Sequence, residues 1–139
     1  MLPEPYRLHH RAEFSRTVRR GQRIGRRDLV VHALTLGYDD LVDGDCVVRV
    51  GGPRFGLIVS KAVGNAVVRH RVARRLRHIC AQVVEELPAD TDVVIRALPG
   101  AATADSAEML RQLRTGLRKL RLHVEPELAL GRTPAGERR

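Results

Sequence analysis

The chain has 139 residues and a mass of 15.5 kDa, the size of one ordinary domain. It carries 25 Lys and Arg against 16 Asp and Glu, a formal net charge of +9. Because 43% of the residues are hydrophobic, the chain can bury a core, and its excess positive charge predicts a polyanionic partner such as nucleic acid. No run approaches the roughly 20 apolar residues that span a bilayer, and the N-terminus lacks a signal-peptide pattern. We therefore expect a cytoplasmic protein with no membrane partner.

The first predicted elements are a short helix and a buried strand. A helix is expected over residues 10–20, where Phe14 and Val18 lie one turn apart and Gly21 supplies a stop. Residues 29–36, LVVHALTL, are β-rich and apolar on both faces. This pattern is typical of a strand that is covered on both sides.

A hairpin is predicted next. Two β-branched runs, residues 46–50 and 55–60, are joined by the turn sequence Gly-Gly-Pro-Arg at residues 51–54. The acidic stretch before them, residues 39–45, is expected to be a solvated loop.

The second half of the chain predicts two helices separated by a strand. The long helix covers residues 65–87, the strand residues 92–98 and the last helix residues 105–122. The predicted order is αβββαβα, an α+β two-layer sandwich with a four-stranded sheet. We expect one domain over residues 1–124 and a flexible C-terminal tail over residues 125–139.

The long helix is predicted to be amphipathic with a cationic back. Six apolar residues recur every three or four positions and share one face: Val68, Val72, Leu76, Ile79, Val83 and Leu87. The basic residues fall on the opposite face or beside the apolar stripe: Arg69, His70, Arg71, Arg74, Arg75, Arg77 and His78.

Three features indicate that this cationic face binds phosphate rather than water alone. No Asp or Glu occurs from Cys46 through Val84, so the arginines have no acidic partner within their own helix. The arginines also crowd the N-terminal half, which the helix dipole disfavours. Finally, Lys61 and the N-cap residue Asn65 lie at the start of the helix, where free backbone N–H groups can bind an anion.

RNA fits this surface better than duplex DNA. The sequence contains no helix-turn-helix or zinc module of the kind that reads duplex DNA. A rigid sheet beside a basic helix suits recognition of folded RNA through its shape and phosphates. Aromatic residues that could stack on bases are few, namely Tyr6, Phe14, Tyr38 and Phe55.

The residues do not predict a catalytic site in the protein itself. The acidic residues Asp39, Asp40, Asp43 and Asp45 lack a distant Glu at calcium-loop spacing, so no metal ligands are assigned. The six histidines form no defensible metal site or nucleophile triad. Cys46 and Cys80 lie in apolar surroundings and are expected to be buried reduced thiols.

A long motif resembles a known family. Residues 55–77, FGLIVSKAVGNAVVRHRVARRLR, are similar to the signature of the bacterial ribonuclease P protein subunit. In that signature, Val-Ser-Lys leads through Val-Gly-Asn-Ala-Val into a helix with Arg-Asn-Arg. The resemblance extends to RLHHRAEFSRTVRRGQR, LVVHAL and DVVIRALPGAA, and it covers about residues 3–122.

The resemblance implies a fold and a function. The fold is a sandwich with a left-handed βαβ crossover, like the second domain of ribosomal protein S5. The function is that of the protein subunit of ribonuclease P, whose RNA subunit is the catalyst. The holoenzyme removes the 5′ leader of precursor tRNA by Mg²⁺-dependent hydrolysis, with Mg²⁺ held mainly by the RNA. The implied partners are ribonuclease P RNA and precursor tRNA, not DNA. The alternative is a non-catalytic RNA-binding protein, such as a ribosomal protein or an RNA chaperone.

The resemblance also assigns site residues. The expected contacts to the RNA subunit are Lys61, Asn65, Arg69, His70, Arg71, Arg74, Arg75 and Arg77. The expected leader-binding residues are Phe14, Val18, His32 and Ser60. The chain departs from the family pattern where His70 replaces an Asn, Ala73 replaces a Lys, and Val18 and His32 stand where many relatives carry aromatic residues. Since Val18 cannot stack on a base, more of the stacking is expected from Phe14 and His32.

Overall fold

A computed structural model describes Leu2, residues 6–35 and residues 53–120. Its elements follow in chain order: α1 (Arg11–Arg20), β1 (Gln22–Gly25), β2 (Leu29–Thr35), β3 (Arg54–Ile58), α2 (Ala66–Val83), β4 (Thr91–Ala97) and α3 (Ser106–Lys119). Short 3₁₀ turns follow α2 and β4, at Val84–Glu86 and Pro99–Ala102. The predicted α+β class and four-stranded sheet are confirmed, and the described elements follow the order αβββαβα, although the first of these strands is not one of those predicted.

The four strands form one mixed sheet with the order β1-β2-β4-β3. Strand β2 pairs antiparallel with both β1 and β4, whereas β3 pairs parallel with β4. Parallel neighbours need a crossover connection, and α2 supplies it between β3 and β4. The β3-α2-β4 segment is therefore the βαβ unit that the resemblance implies, and it attaches the basic helix to the edge of the sheet.

One face of the sheet carries the main core. Strand β2 contributes Leu29, Val31 and Ala33 to this face, which α2 and α3 cover. Gly116 of α3 lies against the side chains of Ile24 and Val31. Helix α2 packs through four of the six residues expected to share its apolar face, together with Cys80; the buried residues are Val72, Leu76, Ile79, Cys80 and Val83. The predicted amphipathic orientation of α2 is therefore confirmed.

Helix α1 covers part of the opposite face. Glu13 accepts a hydrogen bond from Arg54 at 3.1 Å, and an Arg16 Nη2 atom lies 3.6 Å from a carboxylate oxygen of Asp92. The backbone N–H of Gly21 donates to the carbonyl of Thr17, so the helix ends where the sequence predicted. These contacts and the approach of Phe14 to Gly56 place α1 over one end of the strands.

A buried polar clamp fixes the β1–β2 turn to α3. The backbone N–H of Asp28 donates to Gln112 Oε1 at 2.9 Å, and Gln112 Nε2 donates back to Asp28 Oδ2 at 2.8 Å. Both residues are about 95% buried. An unpaired polar group at that depth costs roughly 1–3 kcal/mol, so this reciprocal pair holds β1 and β2 in position.

The structure corrects one prediction and shortens others. Strand β1 was not predicted. Residues 29–36, which were predicted to contain the first strand, instead contain the second strand along the chain, β2. The long helix ends at Val83 and continues as a 3₁₀ turn to Glu86, and β3 stops at Ile58. The predicted strand at residues 46–50, the acidic loop at residues 39–45 and the tail at residues 125–139 lie outside the described residues.

Candidate RNA-binding surfaces

The start of α2 is organised by short-range hydrogen bonds. The backbone N–H of Val63 donates to the carbonyl of Ser60 at 3.1 Å, which forms a turn that leaves the Lys61 side chain exposed. Asn65 Oδ1 accepts from the backbone N–H of Val68 at 3.0 Å, as its predicted N-cap role requires. The N-terminus of the helix and a lysine therefore lie side by side at the surface.

The basic residues of α2 line two separate grooves. The first groove, of about 500 Å³, lies between α2 and the start of α3. We call it the α2–α3 groove, and it is lined by Arg71, Arg74, Arg75, His78 and Ser106. The four residues from α2 are spaced i, i+3, i+4 and i+7, which places them on one stripe of the helix.

The second groove, of about 330 Å³, lies between α2 and β3. We call it the α2–β3 groove, and it is lined by Leu57, Val59, Ala66, Arg69, His70, Ala73 and Arg77. The Nε atom of Arg69 is enclosed and has no hydrogen-bond partner among the described residues. Arg69 therefore has unused capacity to donate a hydrogen bond.

The arginines of α2 are not neutralised by carboxylates. Within residues 6–35 and 53–120, none of them forms an ion pair, although arginines elsewhere do, such as Arg114 with Glu86 at 2.7 Å. Arg75 alone donates to the protein, through an Nη1 hydrogen bond of 3.0 Å to the carbonyl of Ala104. Uncompensated cations along two grooves give each groove a positive lining that suits a phosphate backbone.

Two of the predicted leader-binding residues, Phe14 and His32, lie on the α1 side of the sheet. The half-buried ring of Phe14 covers Gly56, which pairs in register with Val94, and Val94 in turn pairs with His32. Neighbouring strands are about 4.8 Å apart. Gly56, which lies beneath the Phe14 ring, and His32 are two strands apart, so they are separated by roughly 10 Å. Val18 is half-buried one turn after Phe14, and Ser60 is exposed two residues beyond the end of β3.

A second row of sheet residues adjoins these residues, and we call it the cleft floor. It is the row Ile58, Arg96, Val30 and Gly25, which are paired in register across β3, β4, β2 and β1. A side chain at Gly25 would meet no atom within 4 Å. Arg96 and Gly25 are exposed, whereas Val30 is buried, so a ligand can reach this row at Arg96 and at Gly25.

His32 is one of the buried polar residues of this face. It is 95% buried, and its Nδ1 atom has no hydrogen-bond partner in the described part of the chain. Burial, followed by the nearby positive charges of Arg96 and Arg23, lowers the pKa of His32 from its ordinary value of 6.5. The imidazole is therefore neutral at pH 7.

Sequence reasoning missed three residues at these surfaces. Ser106 forms the far wall of the α2–α3 groove, while Arg23 and Arg96 flank His32. The alternation of β4 could have placed Arg96 on the same face as Val94. No signal placed Arg23, because β1 itself was not predicted.

The described residues contain neither a metal-ligand cluster nor a membrane-spanning helix. Among them, no group of three or more His, Cys, Asp or Glu is arranged to hold a metal ion. The acidic residues at positions 39–45 lie outside this part of the chain. No helix within the described ranges has both the length and the apolar character needed to cross a bilayer.

The fold and these surfaces define an α+β protein with a basic face on α2, and comparisons with known proteins narrow the class of protein. The family model of ribonuclease P matches residues 2–121. The ribonuclease P protein component of Nocardia farcinica is 71% identical over 148 aligned positions, which cover 99% of this chain and 88% of the relative. That of Rhodococcus opacus is 64% identical over 122 positions, covering 88% of this chain and 94% of the relative.

Solved structures agree with this result at the level of the fold. The ribonuclease P protein of Staphylococcus aureus superposes with a TM-score of 0.68 at 23% identity, covering 85% of this chain and 97% of that one. The protein of Thermotoga maritima superposes with a TM-score of 0.62 at 19% identity, covering 78% of this chain and 92% of that one. The chain therefore belongs to the ribonuclease P protein family, and like its members it is a protein subunit of ribonuclease P.

Proposed function

We propose that the two grooves of α2 bind the catalytic RNA subunit while the α1 side of the sheet binds the 5′ leader of precursor tRNA. The observation that carries the first part is the set of α2 arginines without carboxylate partners. Guanidinium groups bind phosphate oxygens in a bidentate manner, and binding releases counterions from the RNA. The RNA-contacting residues would be Lys61, Asn65, Arg69, His70, Arg71, Arg74, Arg75 and Arg77.

These residues would not contribute equally. Arg71 and Arg74 are exposed on the α2–α3 groove and are free to bind phosphate. Arg75 already donates to Ala104, so it would add less to RNA affinity and more to the packing of α2 against the segment before α3. Asn65 caps the helix through its Oδ1 atom, which leaves only its amide N–H groups for RNA.

The leader would bind as an extended single strand against α1 and the cleft floor. Phe14 offers a half-buried ring on which a base can stack, an interaction of about 1–3 kcal/mol. Val18 would supply an apolar contact but cannot stack on a base. His32, which is neutral, lies on β2, one of the strands that the leader would cross. Ser60 is exposed at the end of β3, where its hydroxyl can donate to a phosphate oxygen.

In this proposal, the RNA subunit carries the endonucleolytic hydrolysis and the protein binds and orients the RNA. Mg²⁺ usually keeps several waters and binds through phosphates with one or two carboxylates, so we assign it mainly to the RNA subunit. The residues of this chain supply cationic and aromatic contacts that raise affinity for the substrate. We also propose a cytoplasmic complex, without DNA as a partner, in which residues 1–124 are the ribonuclease P protein domain and residues 125–139 are a C-terminal tail.

The decisive experiment measures processing of precursor tRNA by the matching catalytic RNA at low Mg²⁺, with and without the full-length chain. We expect the protein to increase correct 5′ cleavage and to bind leader-bearing precursor more tightly than mature tRNA. Binding to the RNA without any gain in cleavage would favour the alternative of a ribosomal protein or RNA chaperone. A duplex DNA competitor of equal charge should displace the catalytic RNA poorly.

A further inference from the structure

Two arginines stand on either side of His32 on the α1 side of the sheet. Arg23 of β1 pairs directly with His32 of β2, and Arg96 of β4 is two residues from Val94, the partner of His32 on the other side. Directly paired side chains have Cβ atoms about 5 Å apart, and diagonal neighbours are about 7–8 Å apart. The three side chains therefore project from one face within reach of a single nucleotide unit.

The two guanidinium groups are exposed and unpaired. Among the described residues, neither Arg23 nor Arg96 forms an ion pair or a side-chain hydrogen bond, whereas Asp92 on the same face lies against Arg16. Two like charges beside a buried imidazole repel one another, and nothing in residues 6–35 or 53–120 compensates them. An anion bound between them would remove this repulsion.

The site also has room and an unsatisfied buried group. Arg96 lies in the middle of the cleft floor, and Gly25 at the end of that row faces open space. His32 is 95% buried, and its Nδ1 atom has no partner. A buried polar atom without a partner is uncommon in folded proteins and calls for an explanation such as a ligand.

We propose that Arg23 and Arg96 form a phosphate-binding pair on either side of His32 and that this pair holds the backbone of the precursor-tRNA leader. The inference rests on the proposed function, which it extends from the aromatic end of the cleft to β1 and β4. The leader is favoured over the catalytic RNA because the row through His32 is continuous with Gly56 and Phe14, whereas the grooves of α2 lie on the other side of β3 or against α3. One extended strand could stack a base on Phe14 and place its following phosphates between the two arginines.

The test uses the full chain assembled with its catalytic RNA and three variants: Arg23→Gln, Arg96→Gln and the double variant. Arg118→Gln is the matched control, because Arg118 is an exposed arginine near the end of α3 on the opposite side of the sheet. We expect affinity for leader-bearing precursor to fall about threefold to tenfold in each single variant, as loss of a charge-assisted hydrogen bond predicts. The log-log salt slope of precursor binding should become shallower by about 0.7 per lost phosphate contact.

The leader can be altered in parallel to locate the contact. Neutral methylphosphonate linkages placed singly along the leader should weaken binding by the wild-type holoenzyme at one or two positions. The same linkages should have little further effect in the double variant, because the contact is already lost. Affinity for mature tRNA and for the catalytic RNA alone should be unchanged in every variant.

The possible results of these measurements distinguish failure of the phosphate-binding pair from failure of the proposed function. Losses equal to those of Arg118→Gln, or losses that persist with mature tRNA, would overturn the phosphate-binding pair while leaving the proposed function intact. Weaker binding to the catalytic RNA alone would show that the two arginines contact that RNA instead. Failure of the wild-type chain to increase cleavage would refute the proposed function, and it is measured before any variant is compared.

Discussion

The ring of Phe14 occupies the space that a side chain at Gly56 would need. A Cβ atom at position 56 would lie 2.5 Å from Phe14 Cζ and 3.2 Å from a methyl carbon of Leu8. Gly56 is therefore required by a close approach of α1 to β3. This contact sets the height of the Phe14 ring above the sheet, and the ring is the aromatic group available to stack on the leader.

Gly56→Ala should displace Phe14 and weaken leader binding. We expect the free energy of unfolding to fall by about 1–3 kcal/mol, as overpacking predicts, and affinity for leader-bearing precursor to fall about tenfold. Chemical denaturation and precursor binding measure the two effects. Affinity for mature tRNA is the control, since it should not change when a contact to the leader is lost. Unchanged precursor affinity in a folded Gly56→Ala protein would remove Phe14 from the leader site.

The two grooves of α2 should contribute independently to binding of the catalytic RNA. Arg71 and Arg74 line the α2–α3 groove, while Arg69 and Arg77 line the α2–β3 groove. Replacing either pair with Ala should weaken binding about tenfold with little loss of stability, and each should flatten the log-log salt slope by about 0.7–0.9 per lost contact. Because the pairs face different grooves, their effects should add in the fourfold variant. An unchanged slope would show that the residues of that groove do not contact phosphate.

The stability of the protein should fall as the pH is lowered through the pKa of His32. Burial, Arg96 and Arg23 hold this pKa below the unfolded value of 6.5, so the unfolded chain takes up a proton first. The stabilisation is therefore complete above pH 6.5 and is lost as the pH falls from there through the folded pKa. Other charged groups on this face are Asp92, Arg16 and Arg54. Denaturation curves between pH 5 and 8 should show a smaller pH dependence in His32→Gln than in wild type, and equal pH dependence in the two proteins would contradict this expectation.

Cys80 should resist thiol reagents until the protein unfolds. The residue is fully buried, and burial raises the pKa of its thiol far above the ordinary range. In a Cys46→Ser background, iodoacetamide at pH 8 should label Cys80 only at the rate of unfolding, and mass spectrometry measures the labelled fraction. Rapid labelling of the native protein would show that the α2 core opens locally. Exposed Arg118→Cys in the same background provides the fast-reacting reference.

The sequence predicted the helices well because their signals are local. The apolar residues of α2 recur every three or four positions, Asn65 and Asp105 stand at N-caps, and each cap accepts the expected hydrogen bond from the third residue after it. Strands β2, β3 and β4 were recognised from their β-branched runs. Strand β1 was missed because its four residues, QRIG, are mostly exposed and form a strand only through pairing with β2.

The amino-acid sequence by itself determined the α+β class, the cationic back of α2 and membership of the ribonuclease P protein family, because periodicity, capping residues and a long motif are all properties of neighbouring positions. Only the tertiary structure decided which surface or hydrogen-bond partner each arginine faces. It placed Arg71 and Arg74 opposite Ser106, committed Arg75 in part to Ala104, and brought Arg23 and Arg96 to the two sides of His32. Those relationships depend on strand register and helix packing between distant segments, which local sequence patterns do not encode.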